Sequence, residues 1–332
     1  MSEEKISVIV PFFNSELTLN SCLNSIFKST YKNFEVIAIS DHSTDKSDKI
    51  AIKYNCKFKR LKKNHGSGYT RNVGSKLAKG KILLFVDSDV IIKKNALNII
   101  NNHFKKKENH LAQGIYNHKI DYEKISTQYL QSYQCYYIFS KNKKFIENMV
   151  SNFLSIRKKL FFDVGGFDGK FKGSNAEDAD LGYRIQKKGF KIPILRSLNS
   201  IHLVNFGIFQ FLNKLSRIHV GEMKMFLRNK NIKNKIKQTN YLPVIITIIL
   251  LGLQLIVFGY YFFSKDIPII SISLFLNLSI LIAQYGFLRF ILFSKNVLTM
   301  LKCIPLMYLH SLIFIYSFFW GIIDFYLFNN KY

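Results

Sequence analysis

The chain has 332 residues, with 48 Lys and Arg against 21 Asp and Glu, 48% hydrophobic residues and 15% aromatics, which excludes disordered and low-complexity classes. From Gln238 onward the only charged side chains are Lys265, Asp266, Arg289, Lys295, Lys302, Asp324 and Lys331, so nearly all of the formal +27 precedes that point. A basic part is joined to an almost uncharged tail, and at roughly 100–200 residues per domain the length allows two domains. Nucleic acid, anionic lipid and phosphorylated ligands are each compatible with such charge, which therefore chooses none of them. The cysteines, Cys22, Cys56, Cys135 and Cys303, have no metal-ligand spacing and are expected to be reduced. Met1 to Lys5 is polar and the apolar run from Ile6 stops at Pro11, so no secretory signal is expected and the first part should stay in the cytosol.

In chain order, Ile6–Val10 reads as a β-branched strand, followed by helical spacing over Leu17–Phe27. Phe34–Ile39 is a second strand, with polar Ser40–Ser47 and a helix to about Tyr54 behind it. A third strand near Phe58–Leu61 precedes a glycine-bearing loop and a helix ending near Lys79, and Lys81–Val86 is a fourth strand. Strands alternating with helices imply an α/β fold with a parallel sheet covered on both faces, and in such sheets ligands sit beyond the carboxyl ends of the strands. Three polar loops follow strands directly: Pro11–Ser15, Ser40–Asp45 and Asp87–Asp89. Two of them are rich in carboxylates within an otherwise cationic chain.

Asp87 and Asp89, one residue apart at the end of an apolar strand, would repel each other unless a cation lies between them, and a divalent metal on phosphate oxygens resolves this. The loop Asn64–Gly74 places glycines before a helix whose first turn carries Arg71, which suits a phosphate through exposed N–H groups and a guanidinium fork. It has neither P-loop spacing nor GxGxxG. Asn175–Arg184 opens a further helix with Glu177, Asp178 and Asp180 in its first turn. The helix dipole accounts for one or two of these carboxylates, and an ionised one in a crevice can serve as general base for an alcohol. A strand over Lys191–Leu195 comes next, followed by His202.

Phe206–Lys237 mixes apolar residues such as Phe209, Phe211 and Leu215 with Lys214, Arg217, Lys224, Arg228, Lys230, Lys233, Lys235 and Lys237, as expected of a segment (206–237) lying in the lipid headgroup region. Three spans are expected behind it, over about 241–263, 267–288 and 303–323, because each apolar run is long enough for a hydrocarbon core of about 30 Å. The basic residues before the first span place the large domain (1–205) on the cytoplasmic side of the plasma (inner) membrane, and three spans put the C-terminus of the 238–332 membrane domain outside.

Taken in order, ISVIVPFFNS, Asp41-x-Ser43-x-Asp45, the Gly66–Gly74 loop, Asp87-Ser88-Asp89 and Glu177-Asp178-x-Asp180-Leu181 resemble the inverting family 2 glycosyltransferases with a GT-A type nucleotide-sugar fold, over about Ile6 to Gly221. The resemblance implies a mostly parallel central sheet and a donor site for a nucleotide-diphosphate sugar built from Pro11, Phe13, Asn14, Asp41, Ser43, Asp45, Gly66, Arg71, Asn72, Asp87 and Ser88. It implies Mg²⁺ or Mn²⁺ on the diphosphate at Asp87 and Asp89, with His202 as a further contact. Asp178 resembles the general base, with Glu177 and Asp180 supporting it or binding acceptor. His42 departs from the usual residue after the first Asp of the nucleoside loop, and Gln-x-x-Arg-Trp, the mark of polymer-extruding members, is missing, since the one Trp is Trp320. The expected acceptor is a lipid-linked or glycan hydroxyl in cell-envelope polysaccharide assembly, with a polyprenyl phosphate as alternative; membrane lipids are expected partners and nucleic acid is not. A non-catalytic nucleotide-sugar-binding regulator is the rival reading of another class.

Overall fold

The computed structural model describes residues 3–117, 120–139, 144–146, 149–171, 176–228, 242–265 and 268–330. Two compact units emerge: Met1–Ile120 with Phe139–Val204, and Asp121–Ile138 with Asn205–Lys331. The stretch 121–138, expected in the first domain, thus belongs to the same unit as the tail.

In the first unit, β1 (Ile6–Phe12), β2 (Phe34–Ser40), β3 (Lys57–Arg60) and β4 (Ile82–Val86) are parallel, in the order β3-β2-β1-β4, with Ile6 opposite Phe34 and Ile82. β1 and β4 are buried along their whole length because helices cover both faces, which is why they read as unbroken apolar runs. Helices α1 (Leu19–Phe27), α2 (Ser47–Ile52) and α3 (Ser67–Leu77) make the crossovers. α3 approaches β1 closely at Gly74, where an added Cβ would lie 2.5 Å from Ile9 Cγ2.

Beyond β4 the sheet becomes mixed. After Asp89 the chain forms a short strand, β5 (Val90–Ile92), and then the helix α4 (Ala96–Phe104). β6 (Leu111–Tyr116) follows, and past the excursion into the second unit come β7 (Phe145–Ile146), β8 (Phe153–Arg157), α6 (Lys158–Asp163), α7 (Glu177–Lys187) and the long β9 (Ile192–His202). β8 runs antiparallel to both β4 and β6, β9 parallel to β6, and β5 antiparallel to β9 with Val90 opposite His202. The parallel arrangement therefore holds for the first four strands. β9 runs seven residues past the expected Leu195 and carries His202 at its end.

The second unit is helical. α5 (Ile125–Tyr133) continues into a π-helical turn at Gln134–Ile138, and α8 (Ile208–Arg228) occupies the first part of the expected interfacial segment, whose remainder from 229 lies outside the described residues. α9 (Leu242–Ser264), α10 (Ile269–Ala283), α11 (Tyr285–Ser294) and α12 (Val297–Tyr326) complete it. α9 and α12 are each long and apolar enough to cross a membrane, and α10 with α11 form a pair bent by 59°. The expected span over 267–288 is broken at Gln284, whose side-chain amide donates to Thr247 Oγ1 and whose Oε1 accepts from Tyr137. α12 begins six residues before the expected Cys303 because Asn296 caps it, accepting the Thr299 N–H, and Lys302 is accommodated inside the helix. Cys22, Cys135 and Cys303 are buried, and all four cysteines are free thiols.

Candidate active site

The order β3-β2-β1-β4 reverses direction at β1, and the crevice at such a switch point lies beyond the ends of β1 and β4. The two loops meet there: Ser15 Oγ and Ser88 Oγ are 2.9 Å apart. Pro11 and Phe12 close β1, and Phe13 beyond them is 47% exposed. Asn14, held at φ 48°, accepts the Thr44 N–H through Oδ1, while its own N–H donates to Ser43 Oγ. Asp45 receives the Glu16 and Ser47 amides. Burial raises its pKa, but hydrogen bonds from Ser47 and the Glu16 amide outweigh this and hold it below the usual carboxylate value. Asp41 is buried and receives the amides of His65 and Gly66 on separate oxygens, each at 2.8 Å. Its first task is to hold the glycine loop against the end of β2. His42, also at positive φ, approaches the Leu61 carbonyl through Nδ1.

Arg71 lies at the centre of the acidic groups, its side chain 5% exposed. Nη2 donates to Asp87 Oδ1 at 2.6 Å, Nη1 lies 3.5 Å from Glu177 Oε1, and the guanidinium sits over the Phe167 ring. Burial lowers its pKa, and Asp87, Glu177 and Asp178 together outweigh this and keep it raised. Among the described residues Nε and Nη1 have no hydrogen-bond partner, and such a guanidinium fork suits a phosphate.

Asp178 lies at the N-terminal end of α7, its Oδ2 accepting the Ser151 N–H and its Oδ1 the Ala179 N–H. Ser151 is followed by Asn152, whose carbonyl accepts the Asp87 N–H, so Asp178 and Asp87 are held by adjacent residues. Desolvation first, then the neighbouring Glu177, push the Asp178 carboxyl up to about 7, against the opposing pull of Arg71 and the two amides. Glu177 accepts from Ser67 Oγ at 2.6 Å, and Asp180 is committed to Arg184 through Nε at 2.8 Å and Nη2 at 2.7 Å. These two carboxylates, expected to support the base or bind acceptor, fix α7 to the glycine loop and to its own next turn. Asn72 is likewise engaged, its amide and carbonyl both paired with the Phe167 backbone. Asn175 lies outside the described residues.

Asp89 Oδ2 is 3.3 Å from His202 Nε2, a meeting set by the β5–β9 pairing, and the His202 ring stacks on Tyr116 at 4.3 Å. Among the described residues no three His, Cys, Asp or Glu side chains form a ready-made cation cage. Asp89 and His202 offer oxygen and nitrogen donors, while Asp87 is turned to Arg71. This set fits Mg²⁺ or Mn²⁺, which commonly take one or two protein ligands and complete their shell with phosphate oxygens and water. Ser151, Asn152 and Tyr116 escaped sequence reading because none stands in a recognisable motif. Ser67 lies inside the glycine loop and could have been found there.

Residues 7–169 match the family described as Glycosyl transferase family 2. Glycosyltransferase GlyG of Streptococcus pneumoniae serotype 4 is 34% identical over 118 residues, 34% of this chain and 39% of that protein. The poly(ribitol-phosphate) beta-N-acetylglucosaminyltransferase TarP of Staphylococcus aureus is 38% identical over 122 residues, 34% of this chain and 37% of that protein. The chain thus spans less than two-fifths of these curated relatives. Mannosyltransferase PcManGT from Pyrobaculum calidifontis, solved with GDP-Man and Mn²⁺, shares the fold with a TM-score of 0.60, over 96% of this chain and 88% of that one at 13% identity. S. aureus TarS gives 0.50 over 97% of this chain and 55% of that one at 20% identity. Residues 7–169 thus form a glycosyl transferase family 2 domain, and the mixed α/β sheet is the fold that its structural neighbours share.

Proposed function

We propose that the protein is an inverting glycosyltransferase that moves a sugar from a nucleotide-diphosphate donor to a hydroxyl of a lipid-linked saccharide in cell-envelope glycan assembly. The observation that carries this reading is Asp178, a carboxyl poised near neutrality beside the buried Arg71 that also pairs with Asp87. The names of the relatives, which act on poly(ribitol-phosphate), favour a cell-wall glycan acceptor. The apolar helices favour one presented at a membrane.

In this mechanism Asp178 accepts the proton of the acceptor hydroxyl as that oxygen attacks the anomeric carbon, and the donor diphosphate departs from the opposite face of the sugar, inverting the configuration. Arg71 and the amides of the glycine loop orient the diphosphate, and Phe13 offers an exposed ring for the nucleoside. Mg²⁺ or Mn²⁺, when held by Asp89 and His202 beside Asp87, would offset charge on the leaving diphosphate. Ser67 and Arg71 keep Glu177 in place, and Asp180 does the same for α7 through Arg184. The first unit is on the cytoplasmic side, where nucleotide sugars are made.

The test is incubation of membranes holding the full chain with labelled UDP-, GDP- and dTDP-sugars and Mn²⁺. Label in an organic-extractable saccharide supports the proposal. Label on a polyprenyl phosphate alone assigns the alternative acceptor, and label only in water-soluble product refutes a lipid-linked one.

A further inference from the structure

The helices of the second unit are distributed unevenly along α9. The α9 residues that join its buried cluster are Val244 and Leu251, with Ile248 and Leu250 beside them, all in the half next to the basic linker. Beyond Gly252 most side chains are exposed, Ile256 at 68% and Phe263 at 92%, with Gln254 and Val257 partly covered. α10 shows the same gradient in reverse, with Ile280 buried near Gln284 while Ile270 and Phe275 at the other end are exposed. α11, α12, α8 and α5 therefore gather around one end of the α9–α10 pair, and its other end stands alone.

Both ends of α12 are tied by ion pairs. Lys295, just before it, pairs with Asp121 at 2.9 Å, and Asp121 directly follows Ile120, the last residue of the first unit before the excursion. The same corner is closed by Asn205 donating to Glu123 and by the Phe206 N–H donating to Thr127 Oγ1. At its far end α12 pairs Asp324 with the buried Lys224 of α8, and Gly321 packs against Met223. Between these points His310 Nε2 meets His219 Nε2 at 2.9 Å, and His219 Nδ1 meets Glu222. At 1.5 Å per residue His310 lies about 20 Å and Asp324 about 40 Å along α12. Were α12 to cross the bilayer, α8 would have to enter it alongside, carrying Arg217, Glu222, Lys224 and Arg228. Charged side chains at that depth are costly and basic segments stay on the cytoplasmic side.

We propose that only the α9–α10 pair enters the bilayer, and that α12 lies in the membrane surface beside α8, with Asn330 on the same side as Asp121. The occupant of the exposed face of α12, which carries Tyr316, Phe319 and Trp320, is the headgroup and upper acyl region of that leaflet, where amphipathic rings are favoured. α9, about 34 Å long, is a sufficient span by itself. α11 turns away by 59° at Gln284, where the pair leaves the hydrocarbon. This replaces the three-span expectation, and it does not depend on the glycosyltransferase reading.

The test is single-cysteine labelling with a membrane-impermeant maleimide in intact and in inverted membranes, with the full chain carrying Asn330→Cys, Lys124→Cys or Lys265→Cys. Asn330 labelling with Lys124 and opposite to Lys265 is expected; Asn330 labelling with Lys265 overturns the proposal. A second readout guards against a variant that disturbs the end of α12. Nitroxides at Leu312→Cys and Leu255→Cys are compared for quenching by lipid-soluble oxygen and an aqueous nickel chelate. Leu312 is expected to be distinctly shallower than Leu255, and equal depth at the bilayer centre contradicts an in-plane α12.

Discussion

Asp178 carries two opposed demands, since a carboxyl must be ionised to accept a proton while its surroundings resist ionisation. Because its folded-state pKa is raised, the folded protein holds that proton more tightly than the unfolded chain, so stability is lost as pH rises from about 4 through about 7. Asp178→Asn is therefore expected to raise Tm at pH 8 and leave it nearly unchanged at pH 4, as thermal denaturation of the solubilised protein would read. The same substitution should lower turnover by roughly 10²–10⁴, the usual worth of general base catalysis. Wild-type kcat/KM should fall as pH drops below about 7, because protonated Asp178 cannot take the acceptor proton. Arg71→Met removes the cation that lowers the Asp178 pKa, so the acid limb of that profile should move to higher pH. It also leaves Glu177 buried without its cation, at a cost of about 3–5 kcal/mol in chemical denaturation. At this scale the sequence marked out the carboxylates and concealed what each one touches. Asp41 and Asp178 were legible from motif position, whereas the commitment of Asp180 to Arg184 and of Asn72 to Phe167 depends on side-chain directions that residue order does not encode.

Among the elements, β1 and β4 were legible because a strand buried on both faces needs an unbroken apolar run, and α3 because glycines and Arg71 mark its start. β8 was not: FLSIR is interrupted by Ser155 and Arg157, whose partners, the Ala112 carbonyl and the Glu4 carboxylate with the Asn109 carbonyl, are remote in sequence. The part of β9 beyond Leu195 hid behind Arg196 and Asn199, and with it the pairing that brings His202 to Asp89. α3 carries Arg71 to its place by lying close on β1, so Gly74→Ala should force the two apart. A loss of about 1–3 kcal/mol is expected in denaturant titration, with nucleotide affinity falling along with it. A fully stable Gly74→Ala protein would show that α3 has room to move and that Arg71 is not positioned by this contact.

For the molecule as a whole, the +27 charge was the least specific signal and the local exceptions to it the most specific. Carboxylates from the loop after β4 and from α7 are drawn toward one buried guanidinium and one histidine, which a cationic chain has no reason to arrange for stability alone. The tail was legible as membrane-seeking from composition, but the bend at Gln284 and the pairing of Lys224 with Asp324 are tertiary facts that hydropathy does not carry. The central claim is that these acids divide their labour between holding the donor and activating the acceptor. It is tested most directly by calorimetric titration of nucleotide with and without Mn²⁺, alongside sugar transfer, for the full-length Asp178→Asn and Asp89→Asn proteins. Asp178→Asn should keep metal-dependent nucleotide binding and lose transfer, and Asp89→Asn should lose both. Undiminished transfer by Asp178→Asn, or nucleotide affinity indifferent to Mn²⁺ in the unaltered protein, would contradict the account.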